Sequence, residues 1–151
     1  MSDKEGLHTR EYRINLAAYG IDRWRYEELK ARCKQYPDKR LEAESLLCVS
    51  SPAMTGMPSG GGVSDPTSKA AAKRDRLLAF CAPIEYAASR AAGGKYRDAL
   101  ILNCCHGKGY ELLPPETLAN SNRNDFFRAR REFFWLLDKK LEFDTPGAVD
   151  L

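Results

Sequence analysis

The periodicity of the last long segment constrains this chain more than any other feature. Between Arg123 and Leu141, Phe126, Phe127, Phe133, Phe134, Leu137 and Leu141 recur at the spacing of an α-helix and project to one side. That side must be buried. Placing residues at about 100° each gathers Asn124, Arg128, Arg131, Trp135 and Lys139 on the opposite side, so the face left to water is cationic and carries an amide. Arginine donates two parallel hydrogen bonds to guanine, asparagine pairs bidentately with adenine, and lysine neutralises phosphate. The pattern therefore suits a DNA-recognition helix, although an amphipathic helix with solvated arginines would carry it too. Arg130 projects into the aromatic stripe, where a charge is costly unless paired, so it is expected to pair or snorkel, with Glu111 and Glu116 as nearby candidates in sequence.

The residues before this helix supply what it packs on. Tyr96, Ala99, Leu100, Asn103 and Cys104 fall on one side of a helix expected to stop near His106-Gly107. Tyr110, Leu112, Leu113 and Leu118 are expected to cover a core, and Pro114-Pro115 to open a short second helix. Asn120-Ser121-Asn122 then reads as a turn and helix cap. Together these elements predict a helix-turn-helix over about 95–141.

Upstream, the chain divides by composition. Residues 1–48 form an N-terminal helical region in which Ile21, Trp24, Leu29 and Cys33 recur at helical spacing, with Gly20 and Pro37 expected to break or kink it. Its nearly balanced charge makes it a poor DNA contact, and the stripe around Trp24 and Leu29 is the expected self-association surface. Residues 49–66, rich in Ser, Gly, Pro and Met, read as a linker or long loop, and the Gly60-Gly61-Gly62 run lacks the Gly-Lys-Ser/Thr of a phosphate-binding loop. Residues 67–151 form the C-terminal helical domain. Asp65-Pro66 has the form of a helix start, Leu77, Leu78, Phe80, Ile84 and Tyr86 supply an apolar surface, and Gly93-Gly94 provides a left-handed stop. Lys69, Lys73, Arg74 and Arg76 cluster early in this helix, more simply as a solvated face than as a phosphate contact. The expected fold class is all-α.

At 151 residues, with 43% hydrophobic and 30% charged side chains, the chain is sized and composed for one globular core. A formal charge of +3 permits an acidic partner without demanding one. No window reaches the ~18 consecutive apolar residues of a membrane span, and Met1 to Arg10 carries no apolar leader core, so a cytoplasmic location and no membrane contact are expected. The five cysteines lack CxxC spacing and are expected to be reduced. Neither a GxSxG nor an HExxH arrangement occurs, and Cys104-Cys105-His106 diverge by about 100° per residue on a helix. No enzyme activity, cofactor or metal is expected.

Gly56-Met-Pro-Ser-Gly, Val63-Ser-Asp-Pro-Thr67 and the stretch from Tyr96 to Leu141, with Phe126-Phe-Arg-Ala-Arg-Arg-Glu-Phe-Phe-Trp-Leu-Leu137, resemble the ArpU/RinA-type late transcriptional regulators of phages and prophages. The resemblance implies an N-terminal helical region, a Gly/Ser/Pro connection and a C-terminal helix-turn-helix similar to the promoter-reading region of sigma factors. It places Asn124, Arg128 and Arg131 on the exposed part of the recognition helix. The Pro114-Pro115 start and the polar Asn120 to Asn124 turn depart from the sigma-like pattern, so the second helix is expected to be short or irregular.

The function expected from these features is a DNA-binding transcriptional regulator of the bacterial cytoplasm, reading duplex DNA as a dimer, with host RNA polymerase as a further candidate partner. Asn124, Arg128 and Arg131 would read bases, Ser121 and Arg123 would sit at the helix start, and Lys139 and Lys140 would lie nearer the phosphates. A small-terminase-like packaging factor and a non-enzymatic protein-interaction module are the competing functions.

Overall fold

The computed structural model describes residues 19–49 and 66–144. Every regular element among them is helical, and the fold is all-α. Helix α1 spans Arg23–Val49 and α2 spans Pro66–Arg90. A 3-10 turn, Ala91–Gly94, leads to the short helix α3, Arg97–Leu100, which widens into a π-type turn at Ile101–Cys105. Two further 3-10 turns, Tyr110–Leu112 and Pro115–Leu118, precede α4, Arg123–Asp144.

Helix α1 starts where Asp22 caps it, its Oδ1 accepting the Arg25 backbone N–H at 2.8 Å. It then runs unbroken through Pro37, as one long helix rather than the separate pieces that were the alternative expectation. Proline removes one internal hydrogen bond, but Cys33, Tyr36 and Ala43 are buried on either side of it, so packing holds the helix across the gap. Helix α2 likewise continues through Pro83, which is buried. Lys73 meets Glu42 while Arg32 donates to the Phe80 carbonyl, so α1 and α2 run antiparallel.

The chain leaves α2 through successive left-handed residues, Ala92, Gly93 and Gly94. Only glycine fits the last of these, because a Cβ at Gly94 would lie 2.7 Å from the Ser89 carbonyl oxygen. The expected glycine stop is therefore present. At the other end of α3 the His106 N–H reaches back five residues to the Ile101 carbonyl at 3.2 Å, and Gly107 turns the chain away with φ +70°.

One core joins all four helices. Leu29, Cys33 and Tyr36 of α1 meet Cys81, Ile84 and Ala87 of α2, then Tyr96, Ala99 and Leu100 around α3, and Phe126, Phe133, Phe134 and Leu137 of α4. The three phenylalanines are fully buried, each side chain worth about 1.5–3 kcal/mol of transfer free energy. Phe126 meets the Tyr96 ring edge-on at 6.1 Å, the expected packing of the last helix on the element near Lys95. The N-terminal helix thus belongs to the same core as the C-terminal elements.

Several surface expectations are corrected. Leu29 is 1% exposed and lies in the core, leaving Trp24, at 74%, as the exposed member of the supposed self-association stripe. Leu112 is 70% exposed, whereas Leu113 turns inward. Tyr86 lies on the outer side of α2, between Arg90 and Lys140. The second helix expected at Pro114-Pro115 is a single 3-10 turn: Pro114 is extended (φ −59°, ψ 132°), and Ala119 and Asn120 take left-handed conformations that end the turn. The linker assigned to 49–66 falls almost wholly outside the described residues, between the end of α1 at Val49 and the start of α2 at Pro66.

Candidate nucleic-acid interface

The site is built on the first half of α4. Its start is fixed by Asn122, whose Oδ1 accepts the Asp125 backbone N–H at 2.9 Å, as the turn-and-cap reading required. From there Phe126, Ala129, Phe133, Phe134 and Leu137 face the core. Their burial fixes the opposite side outward. Asn124 and Arg128 are exposed, and Arg131 is half-buried beside them. Neither Arg128 nor Arg131 forms an ion pair with any described residue.

A groove of about 250 Å³ opens beside this face, lined by Lys95, Tyr96, Ser121, Asp125, Arg128 and Glu132 among others. Glu132 holds the groove's far wall in place, its Oε2 accepting the Ala92 backbone N–H at 3.2 Å. The groove brings Lys95, exposed at the end of the α2–α3 turn, next to Ser121 and Arg128. Sequence reasoning missed Lys95 because 33 positions separate it from Arg128 and nothing in its local pattern marks it.

The remaining candidates are dispersed. Arg123 lies on a flank of α4, stacked over Tyr110 and Phe127 at 5.3 and 5.0 Å, and bonds Glu111 through Nη1 at 2.7 Å. The Glu111 carboxyl is held below its ordinary range by its own backbone amide and by that guanidinium. Lys139 pairs with Glu142 at 3.5 Å. Lys140 points toward α2, 4.9 Å above the Tyr86 ring, and pairs with Asp144 at 3.4 Å. Such exposed pairs are weak, but they partly neutralise the charge that either lysine would offer a phosphate.

The second half of the outer face is flanked by Tyr19, which precedes α1, and by the first turn of α1. Tyr19 packs on Trp135 with ring centroids 6.4 Å apart, so Trp135 is half-buried where it was expected to face water. Arg25 donates through Nε to Asp138 Oδ1 at 2.5 Å, and Asp138 is 4% exposed. Burial works against the Arg25 charge, but its bonds to Asp138 and Glu28 outweigh it and hold its pKa above the ordinary value. The open cationic surface is therefore the half of α4 nearest its N-terminus.

Arg130 does not pair with Glu111 or Glu116. Its Nε donates to Asn103 Oδ1 at 2.9 Å and its Nη1 to the Tyr26 hydroxyl at 3.1 Å, with the guanidinium 5.0 Å above the Phe134 ring. The neighbouring Cys104 thiol is pushed up to about 12, chiefly by burial. The described cysteines, Cys33, Cys81, Cys104 and Cys105, are free thiols. No helix among the described residues is long and apolar enough to cross a membrane. Compared with protein-family models, curated proteins and solved structures, the chain matches none.

Proposed function

We propose that this chain is a DNA-binding regulator that reads a duplex site with the N-terminal half of α4, in the manner of the ArpU/RinA-type regulators it resembles. The observation that carries this reading is the face of Asn124, Arg128 and Arg131, whose arginines form no ion pair among the described residues, held outward by a fully buried aromatic face and bordered by Lys95. Recognition helices contact base edges with their N-terminal residues, and these are the positions left uncovered here. Arg128 and Asn124 reach bases in this arrangement, Lys95 and Ser121 take flanking phosphates, and Arg123 serves mainly to latch the connection to α4. Because one such helix reads few base pairs, the protein acts as a dimer in the bacterial cytoplasm, and host RNA polymerase is a further candidate partner.

The test is selection of bound duplexes from a random pool, followed by affinity measurements on the selected site at several salt concentrations. Arg128→Ala is expected to lose about 1–3 kcal/mol of specific binding, and Lys95→Ala to weaken all duplexes alike and flatten the salt dependence. A pool that yields no enriched sequence, with no salt-dependent binding, would favour a protein-interaction module. Enrichment of a packaging site by a ring-shaped oligomer would favour a terminase-like factor.

A further inference from the structure

Arg130 is half-buried as a residue, but its guanidinium is enclosed over the Phe134 ring, and its hydrogen bonds, among the described residues, all end on uncharged acceptors. A buried guanidinium is a poor way to gain stability, since replacing buried ionic groups by apolar ones of similar size is often neutral or stabilising. What a buried polar group supplies instead, where it has a purpose, is a unique arrangement. Helix α4 needs such a device. Its apolar side, Phe126, Ala129, Phe133, Phe134 and Leu137, is held by burial, a non-directional force that fixes the rotation of the helix only through side-chain shape.

The guanidinium does not tolerate a change in that rotation. Its planar fork bridges Tyr26 on α1 and Asn103 on the π-type turn, two elements that pack against each other beside α4, and rotating α4 carries the fork away from both acceptors together. The π-type turn itself places Asn103: its Nδ2 donates to the Lys108 carbonyl at 2.8 Å, which leaves Oδ1 turned to Arg130. Arg131 follows Arg130 at about 100° around the helix and Arg128 lies nearly opposite, so any rotation at Arg130 swings both through the same angle.

We propose that Arg130 is the positioning residue that sets the rotation of α4, and thereby the direction in which Asn124, Arg128 and Arg131 meet a duplex. The inference rests on the DNA-binding reading above. It makes discrimination more sensitive to the fork than stability, because base reading depends on the direction of the helix while apolar burial is non-directional.

The experiment compares the full-length wild type with Arg130→Met, which keeps an unbranched side chain of similar length, and with Tyr26→Phe, which removes one acceptor and keeps the ring. Three quantities are read for each: melting temperature, the ratio of affinities for the selected duplex and a random one, and the amide spectrum of α4. Arg130→Met is expected to melt within a few degrees of wild type, lose at least tenfold in the affinity ratio with random-duplex binding nearly unchanged, and show shifted or doubled α4 resonances. Arg130→Lys is not expected to restore the ratio, because a point charge does not reproduce the fork. Tyr26→Phe is expected to show a smaller loss in the same direction, and it decides the matter if Arg130→Met does not fold. A folded variant with an unchanged ratio and an unshifted spectrum overturns the proposal. Wild type that binds no duplex overturns the functional reading and with it the role in discrimination, while the spectrum still reports whether Arg130 fixes the helix.

Discussion

Single residues fall into two sets on α4, and the two should fail differently. Phe133 is completely buried, so Phe133→Ala should lower stability by about 3–5 kcal/mol, measured by denaturant unfolding, while Arg128→Ala should melt as wild type does. The buried thiols make a second residue-level prediction. Burial raises Cys104 from an ordinary value near 9.0 to about 12, so the folded state keeps a proton that the unfolded state releases above about pH 9. The stabilising contribution is complete below pH 9 and is lost as pH rises toward 12, so unfolding free energy should fall across that window. The fall should be smaller in Cys104→Ala than in wild type; equal slopes would place the effect elsewhere. At this scale the sequence showed the conflict at Arg130 plainly, as a charge inside an aromatic stripe. Its partners were illegible, because Tyr26 lies 104 positions away and Asn103 27. The Arg25–Asp138 pair was hidden for the same reason, with 113 positions between its members.

Elements were legible in proportion to how cleanly their apolar residues repeat. Helix α4 carries large rings at regular spacing and was readable almost to its ends, as were the glycine stop after α2 and the Asn122 cap. Helix α1 was not, because its buried positions hold Cys33, Tyr36 and Ala43 alongside Leu29, and such mixed side chains do not mark an inner face. Periodicity alone therefore does not place Leu29 in the core. The connection between α3 and α4 failed for a different reason: its prolines fix local angles, but whether one turn becomes a helix depends on the next residues, and Ala119 turns left-handed. Ala119 is exposed at φ 50°, a conformation that strains any side chain with a Cβ. Ala119→Gly should therefore raise stability by about 1 kcal/mol, read as a higher melting temperature with duplex affinity unchanged. A lower melting temperature would mean that the left-handed turn is not what limits this connection.

For the whole molecule, one core built from all four helices presents half of one helix outward and covers the other half with Tyr19 and the first turn of α1. The all-α class was legible from periodicity, and so was the separation of α4 into an aromatic and a cationic side. The groove that adds Lys95 was not, since it exists only once the turn after α2 is seated on Glu132. The central claim is that this uncovered half of α4 reads duplex DNA. The measurement that tests it most directly is duplex affinity of the Arg128→Ala/Arg131→Ala double variant against wild type on a selected site, with melting temperature recorded for both. The account predicts a loss of about tenfold or more in specific affinity at an unchanged melting temperature. A double variant that melts normally and binds the selected duplex as tightly as wild type would contradict it.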